Sequence, residues 1–438
     1  MATFSEATGV RIPTSRWWRV GIILFLVYLV AFAERSNIGV AAPAIGHQLG
    51  LSATFIGVLL SAFFWGYIIT QVPGGWLSNK VGPVRVIASS LVIWGVVSIL
   101  QSTAGSLGEL LVYRTVMGLA EGVLWPSFGV MFTVWFTTSE RSRASGLALL
   151  ALPLSSVVAV PSAGWLVGTW SWQVMFIVQG IPAFMMAAVV IIFLRDDPTD
   201  DKRLSSTELS YILSNRARRS AGSEATSFLT VLKSPAVWAC CVVYFLWLTG
   251  FYSFGLWLPT IVKQLSSSGI AKASYLTVIP FLIAGIALVA NSWAADRSRR
   301  SKTPYVVVPF AIGAIALLTQ QVLPSSLAIQ IVFLVIAGIG LYASFGPWWG
   351  WALERLPAEQ AGPGYGLINV FGSFGGIVGP IIVGAAAGAS GKAVDGLYGL
   401  GFFLIAAILV GLGIAKWAPI ASSGAVEGQS LGVLDDRA

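Results

Sequence analysis

Residues 21–45 read GIILFLVYLVAFAERSNIGVAAPAI, an apolar run whose only charges are Glu34 and Arg35 near its centre. The run is longer than the roughly 20 residues that span a bilayer. A charge at that depth costs about 2.5–3.5 kcal/mol on insertion scales, so a chain that keeps one there is expected to use it. Comparable runs recur along the chain, centred near residues 30, 65, 94, 120, 155, 183, 248, 284, 312, 340, 375 and 406. Of the 438 residues, 56% are hydrophobic and 10% charged, with mean hydropathy +0.82. Soluble domains carry about 25% charged residues. The reading is an all-α integral membrane protein with twelve transmembrane helices in two six-helix halves.

Basic residues orient the chain. With both termini cytoplasmic, as an even number of spans requires, the cytoplasmic side holds 21 of the 26 Lys and Arg, including Arg16, Arg19, Lys80, Arg85, Arg141 and Arg143. The outer side holds Lys263, Lys272 and Lys392, while Arg35 and Arg114 stay within the membrane. The net charge of +8 is thus spread over short loops as a topology signal. It forms no single basic face, which argues against a nucleic-acid partner. The first apolar run is too long and too charged for a cleaved leader. Cys240 and Cys241 lie in an apolar run and have no metal spacing, and His47, the only histidine, falls near the outer end of the first span. No metal or cofactor is expected.

The sequence divides into a cytoplasmic tail (1–15), a six-helix half (16–194), a cytoplasmic linker (195–234), a second six-helix half (235–417) and a second tail (418–438). The linker holds seven basic and six acidic residues and reads first as a solvated connection. Within it, Ser205-Ser206-Thr207-Glu208 fits a capping box, ahead of a stretch able to form a surface amphipathic helix. The halves echo each other. Gly75-Trp76-Leu77-Ser78-Asn79-Lys80 after the second span corresponds to Trp293-Ala294-Ala295-Asp296-Arg297 after the eighth. WFTTSERSRASG (135–146) likewise corresponds to LERLPAEQAGPG (353–364). Internal repetition of this kind is common in secondary transporters, whose substrate sits at the midplane between repeats. Gly372-Gly376 and Gly375-Gly379 have the small-xxx-small spacing that lets helices pack closely.

Four charges lie at membrane depth, all in the first half: Glu34, Arg35, Arg114 and Glu121. Arg35 offers a planar fork of donors that matches a carboxylate. Glu34 and Glu121 are the proton-site candidates, because a carboxylate that loses its arginine partner in a desolvated site takes up a proton. Arg114 precedes Glu121 by two helical turns, about 10.5 Å along one face. Three roles stay open for it: pairing with Glu121, attracting an anion, or locking helices together. The four charges sum to zero, so an added anion leaves room for one proton.

The segment GGWLSNKVGPVR (74–85) resembles the signature loop of the major facilitator superfamily. ERSNIGVAAPAI (34–45), SAFFWGYIITQVPGGWL (61–77), YRTVMGLAEGVLWPS (113–127) and WFTTSERSRASG resemble its anion:cation symporter branch. INVFGSFGGIVGPIIVG (368–384) resembles the eleventh helix of members that carry tartrate, aromatic acids and related carboxylates. The resemblance spans about 16–417 and implies proton-coupled uptake of an organic anion by alternating access. It assigns the carboxylate clamp to Arg35 and proton coupling to Glu34 and Glu121. It also assigns substrate contacts to Tyr67 and Asn369, and a gating loop to Gly75, Asn79 and Lys80 with Asp296 and Arg297 in the repeat. Trp348 and Trp349 are candidates for an aromatic wall. The chain departs from the branch in two places, with Glu34 for the usual Asp and Asn79-Lys80 for the usual Asp-Arg. Leu152 stands where some sugar-acid transporters have glutamine, which favours small or aromatic carboxylates over polyhydroxylated ones.

The resulting expectation is a monomeric inner-membrane symporter with a small carboxylate, a proton and the bilayer as partners. The alternatives are an exchanger or exporter of the same fold, and a transporter-derived sensor. An enzyme is disfavoured: no paired histidines, metal spacing or nucleophile elbow is present. The Ser390-Gly391-Lys392-Ala393 segment fails as a Walker loop because Ala386 and Ala393 occupy its required Gly and Ser/Thr positions.

Overall fold

The computed structural model describes residues 3–4, 11–12, 14–137, 140–215, 228–298, 301–322, 324 and 326–417. The tail at 418–438 and most of 1–15 lie outside these. Twelve helices are long and apolar enough to cross a membrane, and each of the twelve predicted centres falls inside one of them. They are α1 Trp17–Leu49, α2 Ala53–Val81, α3 Pro83–Gln101, α4 Leu107–Trp135, α5 Arg141–Thr169 and α6 Trp172–Phe193 in the first half. The second half holds α7 Pro235–Ser266, α8 Ile270–Arg297, α9 Thr303–Val322, α10 Leu327–Leu353, α11 Pro363–Ser390 and α12 Ala393–Trp417. A helix solves the backbone hydrogen-bond problem within one segment, which is why apolar runs of this length read so directly as helices.

The bundle has two ends, one carrying the linker and one far from it. At the far end, Ser52, Ser106 and Ser171 cap α2, α4 and α6 by accepting from the backbone N–H three residues on. At the linker end, α2 turns into α3 through Gly82, whose φ of 102° favours glycine. The Asp196 carboxylate accepts from Val84 N at 2.8 Å there, placing an anion at the start of α3 where the helix dipole favours it.

The two halves pack through α2 on α11, α5 on α8, and α1 on α7. Exchanging the halves turns the first pair into the second, the relation that the repeated loops imply. At the far end the α1 and α7 backbones are in contact: a Cβ on Gly39 would lie 2.2 Å from the Leu256 carbonyl oxygen. Likewise a Cβ on Gly57 would lie 2.5 Å from the Pro380 carbonyl oxygen, across α2 and α11. Gly375 and Gly379 seat α11 on the α7 backbone at Thr249, while Gly376 receives the Phe64 ring from the other half. Cys240 and Cys241 are buried, and His47 is exposed near the far end.

The linker departs from a solvated connection. Its helix Ser206–Asn215 docks on the first half through Glu208, which is fully buried. The box is half realised, with Ser205 Oγ accepting from Glu208 N at 3.2 Å. The Glu208 carboxylate instead takes Arg16 Nη1 at 2.9 Å, Arg16 N at 3.1 Å and Ser15 Oγ at 2.6 Å. The other arm of Arg16 pairs with Glu140, between α4 and α5. Nearby, burial works against ionisation of Asp201, but hydrogen bonds and charge from Arg203, with Arg19 beyond, hold it below its ordinary range.

Candidate functional site

The four membrane charges are all buried, with relative exposures of 1% for Glu34, 4% for Arg35, 0% for Arg114 and 1% for Glu121. They do not form one cluster of equivalent groups. Arg35 Nη2 pairs with Glu121 Oε1, joining α1 to α4. Arg35 Nε and Glu121 Oε2 have no hydrogen-bond partner, so each group has capacity to spare. The guanidinium sits in an aromatic box, with its Cζ 4.3 Å from the Phe32 ring centre, 4.7 Å from Tyr67, 4.8 Å from Phe63 and 5.9 Å from Phe64. Ring faces attract a cation.

Arg35 borders a cavity of about 40 Å³ that residues of both halves line. The first half contributes Phe32, Ser36, Phe64, Leu152 and Ser156, and the second contributes Phe251, Tyr252, Gly255, Leu256 and Tyr342. That volume suits one or two waters and is too small for an organic acid. Tyr252 packs on Phe64 across the halves at 4.4 Å between ring centres. Toward the far end lies the Gly39–Leu256 contact. Toward the linker end, Trp125 Nε1 donates to Tyr365 Oη at 2.6 Å and Gln71 Nε2 to Ser373 Oγ at 3.2 Å, both across the halves.

The remaining predicted residues separate by position. Tyr67 is buried beneath Arg35 and stacks with Phe63 at 5.4 Å. Arg114 does not pair with Glu121. Its Nη1 and Nη2 reach the backbone carbonyls of Glu34 and Arg35, each at 3.4 Å, so of its three possible roles this geometry matches the helix lock. Glu34 faces elsewhere: its Oε2 accepts from Asn37 Nδ2 at 3.1 Å and Ser98 Oγ at 2.8 Å. Trp348 is fully buried and stacks on Tyr244, while Trp349 packs against Tyr365 at 4.1 Å. Asn369 is half-buried, one turn before Ser373, and its carbonyl accepts from Ser373 Oγ at 3.0 Å.

In the loop, Asn79 Nδ2 donates to the Gly75 carbonyl at 2.8 Å, and Lys80 Nζ lies 4.8 Å from the Trp76 ring. In its repeat, Arg297 lies 3.6 Å from the Trp293 ring, beside Asp296. Sequence reasoning did not single out Phe32, Phe63, Phe64, Tyr252 or Tyr342. The legible signals were Tyr252 and Tyr342 within apolar spans, since a buried hydroxyl needs a reason to be there.

The family profile of the Major Facilitator Superfamily matches residues 24–380. The chain belongs to the Major Facilitator Superfamily. It is therefore a membrane transporter and not an enzyme. It is 32% identical to a putative tartrate transporter of Agrobacterium vitis over 92% of this chain and 91% of the relative. It is 28% identical to a probable galactarate/D-glucarate transporter of Bacillus subtilis strain 168, over 93% of each. These relatives are named as organic-acid carriers, the branch to which the motifs pointed. Among solved structures, a bacterial homologue of the human lysosomal transporter Spinster superposes with TM-score 0.74 at 17% identity, covering 93% of this chain and 98% of that one. A D-xylose–proton symporter superposes with TM-score 0.72 at 16% identity, covering 92% and 98%. Both share the superfamily fold.

Proposed function

We propose that this superfamily member imports a small organic anion together with a proton, with Arg35 as the carboxylate clamp and Glu121 as the group that exchanges with substrate. The observation that carries the reading is that Arg35, which lines a cavity shared by both halves, is paired behind it with Glu121 and keeps Nε unpartnered. The names of the tartrate and galactarate/D-glucarate relatives support an anionic substrate. The linker end is read as cytoplasmic from the basic residues, with both termini on that side and the bacterial inner membrane as the location.

The chemistry follows from charge balance. A buried carboxylate without a partner costs far more than a paired one. When the substrate carboxylate takes the Arg35 fork, Glu121 loses its partner and its charge is left uncompensated. Taking up a proton removes that cost, so anion and proton enter together. When the site opens inward the order reverses: Glu121 gives up the proton, reclaims Arg35 and displaces the anion. Tyr67, Tyr252 and Tyr342 provide hydroxyls near the clamp, while Phe32, Phe64, Phe251 and Leu152 provide apolar walls. Asn369 and the Trp348–Trp349 pair complete the second half's contribution as the halves rock. Asn79 and Lys80, with Asp296 and Arg297, act at the linker end as it opens.

The test is transport in reconstituted vesicles, with L-tartrate as the first probe and other carboxylates after it. An imposed inward proton gradient is expected to drive accumulation by the wild type. Glu121→Gln is expected to abolish the driven uptake while leaving exchange of internal for external anion. Accumulation that ignores the gradient would make the protein an exchanger and overturn symport.

A further inference from the structure

Glu34 is set apart from the Arg35 cavity, which it does not line. Its Oε2 faces α3 and α6, and its Oε1 is buried without a partner. No cation lies within ion-pairing distance of it among the described residues. The charged groups within electrostatic reach are Arg114 and Glu121, both from α4. From α3 and α6 it meets only the Ser98 hydroxyl and, through it, the Phe176 carbonyl, and neither α5 nor α7 bears a charge at that depth.

A line of polar groups continues from Glu34 toward the far end. Asn37 follows one turn along α1, and Gln101 follows Ser98 by one turn along α3, about 4.5 Å of rise in each case. Gln101 is the last residue of α3, and two residues beyond it the chain is exposed at Thr103. Met117 Sδ receives both Gln101 Nε2, at 3.9 Å, and Arg114 Nη1, at 3.4 Å, so these groups adjoin one another. Four buried polar atoms in this one cluster lack protein partners: Glu34 Oε1, Asn37 Oδ1, Gln101 Oε1 and Arg114 Nε. Buried polar atoms are ordinarily satisfied, and buried water bridges those that have no protein partner. Ser98 adds a switchable element. Its single hydroxyl hydrogen faces two acceptors, Glu34 Oε2 at 2.8 Å and Phe176 O at 3.1 Å.

We infer that Glu34 draws its proton from the far end of the bundle through the interior of the first half, along Gln101, Asn37 and Ser98, and not through the cavity that holds Arg35. The amides of Gln101 and Asn37 hold waters that pass the proton inward. A hydronium gives its proton to the Glu34 carboxylate, leaving a carboxylic acid and a water. Once protonated, the acid donates to Ser98 Oγ, whose own hydrogen turns to the Phe176 carbonyl on α6. The two glutamates then serve different compartments: Glu121 exchanges with the anion, and Glu34 loads a proton without waiting for the substrate path to open. The inference rests on the symport reading, which gradient-driven uptake tests separately, because the measurement below needs no substrate.

The experiment follows exchange of the Glu34 carboxylic proton for deuterium in the purified, substrate-free protein. The readout is the shift of its carboxyl infrared band after mixing with D2O, assigned by its loss in Glu34→Gln. Ser98→Ala removes only the hydroxyl, and Gln101→Met keeps volume beside Met117, so both retain packing. Each is expected to slow exchange by about tenfold or more. Gly255→Leu fills the Arg35 cavity, where a Cβ has Tyr342 Oη as its nearest neighbour at 3.8 Å, and is expected to leave the rate unchanged. Slowing by Gly255→Leu with no effect of the other two would route the proton through the cavity and overturn the inference. So would the absence of a protonated Glu34 band at any pH from about 5 to 8.

Discussion

At the residue scale the chemistry rests on how Arg35 is held. One arm is bound to Glu121 and the guanidinium is walled by four rings, while Nε stays available. A planar fork can grip a second carboxylate from that position, whereas an ammonium group cannot. Arg35→Lys is therefore expected to lose about 1.5–3 kcal/mol of anion binding, read as a rise in dissociation constant by calorimetry with L-tartrate. Affinity equal to wild type would refute the clamp. Arg114 is the instructive contrast. Two helical turns from Glu121, it is turned to the α1 backbone, and nothing in residue type or spacing distinguishes a cation that grips carbonyls from one that waits for an anion.

At the scale of elements, close backbone contact closes the far end of the bundle. Gly39 allows α1 to touch α7 and Gly57 allows α2 to touch α11. Any side chain at Gly39 wedges those helices apart. Gly39→Val is expected to hold the far end open, seen as faster thiol labelling of a cysteine introduced by Ser36→Cys at the cavity wall. Unchanged labelling would show that this contact does not gate access. The linker helix is a second element whose position depends on one residue. Arg16 stands between Glu140 and Glu208 with no exposure, and removing one partner of such a group costs about 3–5 kcal/mol. Arg16→Met is expected to release the Ser206–Asn215 helix, measured as a marked rise in its backbone hydrogen exchange. Protection equal to wild type would place the docking elsewhere.

At the scale of the whole molecule, all charge at membrane depth lies in the first half, while the second half brings Phe251, Tyr252 and Tyr342 to the cavity. The halves meet toward the linker end through Trp125–Tyr365 and Gln71–Ser373, a lighter contact than the backbone packing at the far end. Tyr365→Phe removes one neutral hydrogen bond worth about 1 kcal/mol. It is expected to shift the population toward opening at the linker end, read as a longer spin-label distance across that end. An unchanged distance distribution would remove that bond from the gate.

Much of this architecture is legible in the residues themselves. Every span was recoverable because a bilayer core leaves a long apolar segment few options other than a helix. The polar interruption at 195–234 suggested the division into halves that the repeated loops echo, and the cost of burying charge marked Glu34, Arg35, Arg114 and Glu121 before any geometry was known. Which of them act on one another was not legible. Arg35 and Glu121 are 86 positions apart, and Glu34, adjacent to Arg35 in sequence, faces a different set of helices. Adjacent residues on a helix point about 100° apart, so the partner of each is decided by the rotation and packing of α1 against α3, α4 and α7. Trp348 and Trp349 show the same limit, since both touch Tyr244, yet Trp348 is fully buried while Trp349 reaches Tyr365. Sequence alone thus determined that this chain spans a membrane and bears costly charges in one half. Only the tertiary structure decided that Arg35, paired with Glu121, lines the shared cavity while Glu34 is enclosed apart from both, because contact between distant helices is a property of packing and not of composition.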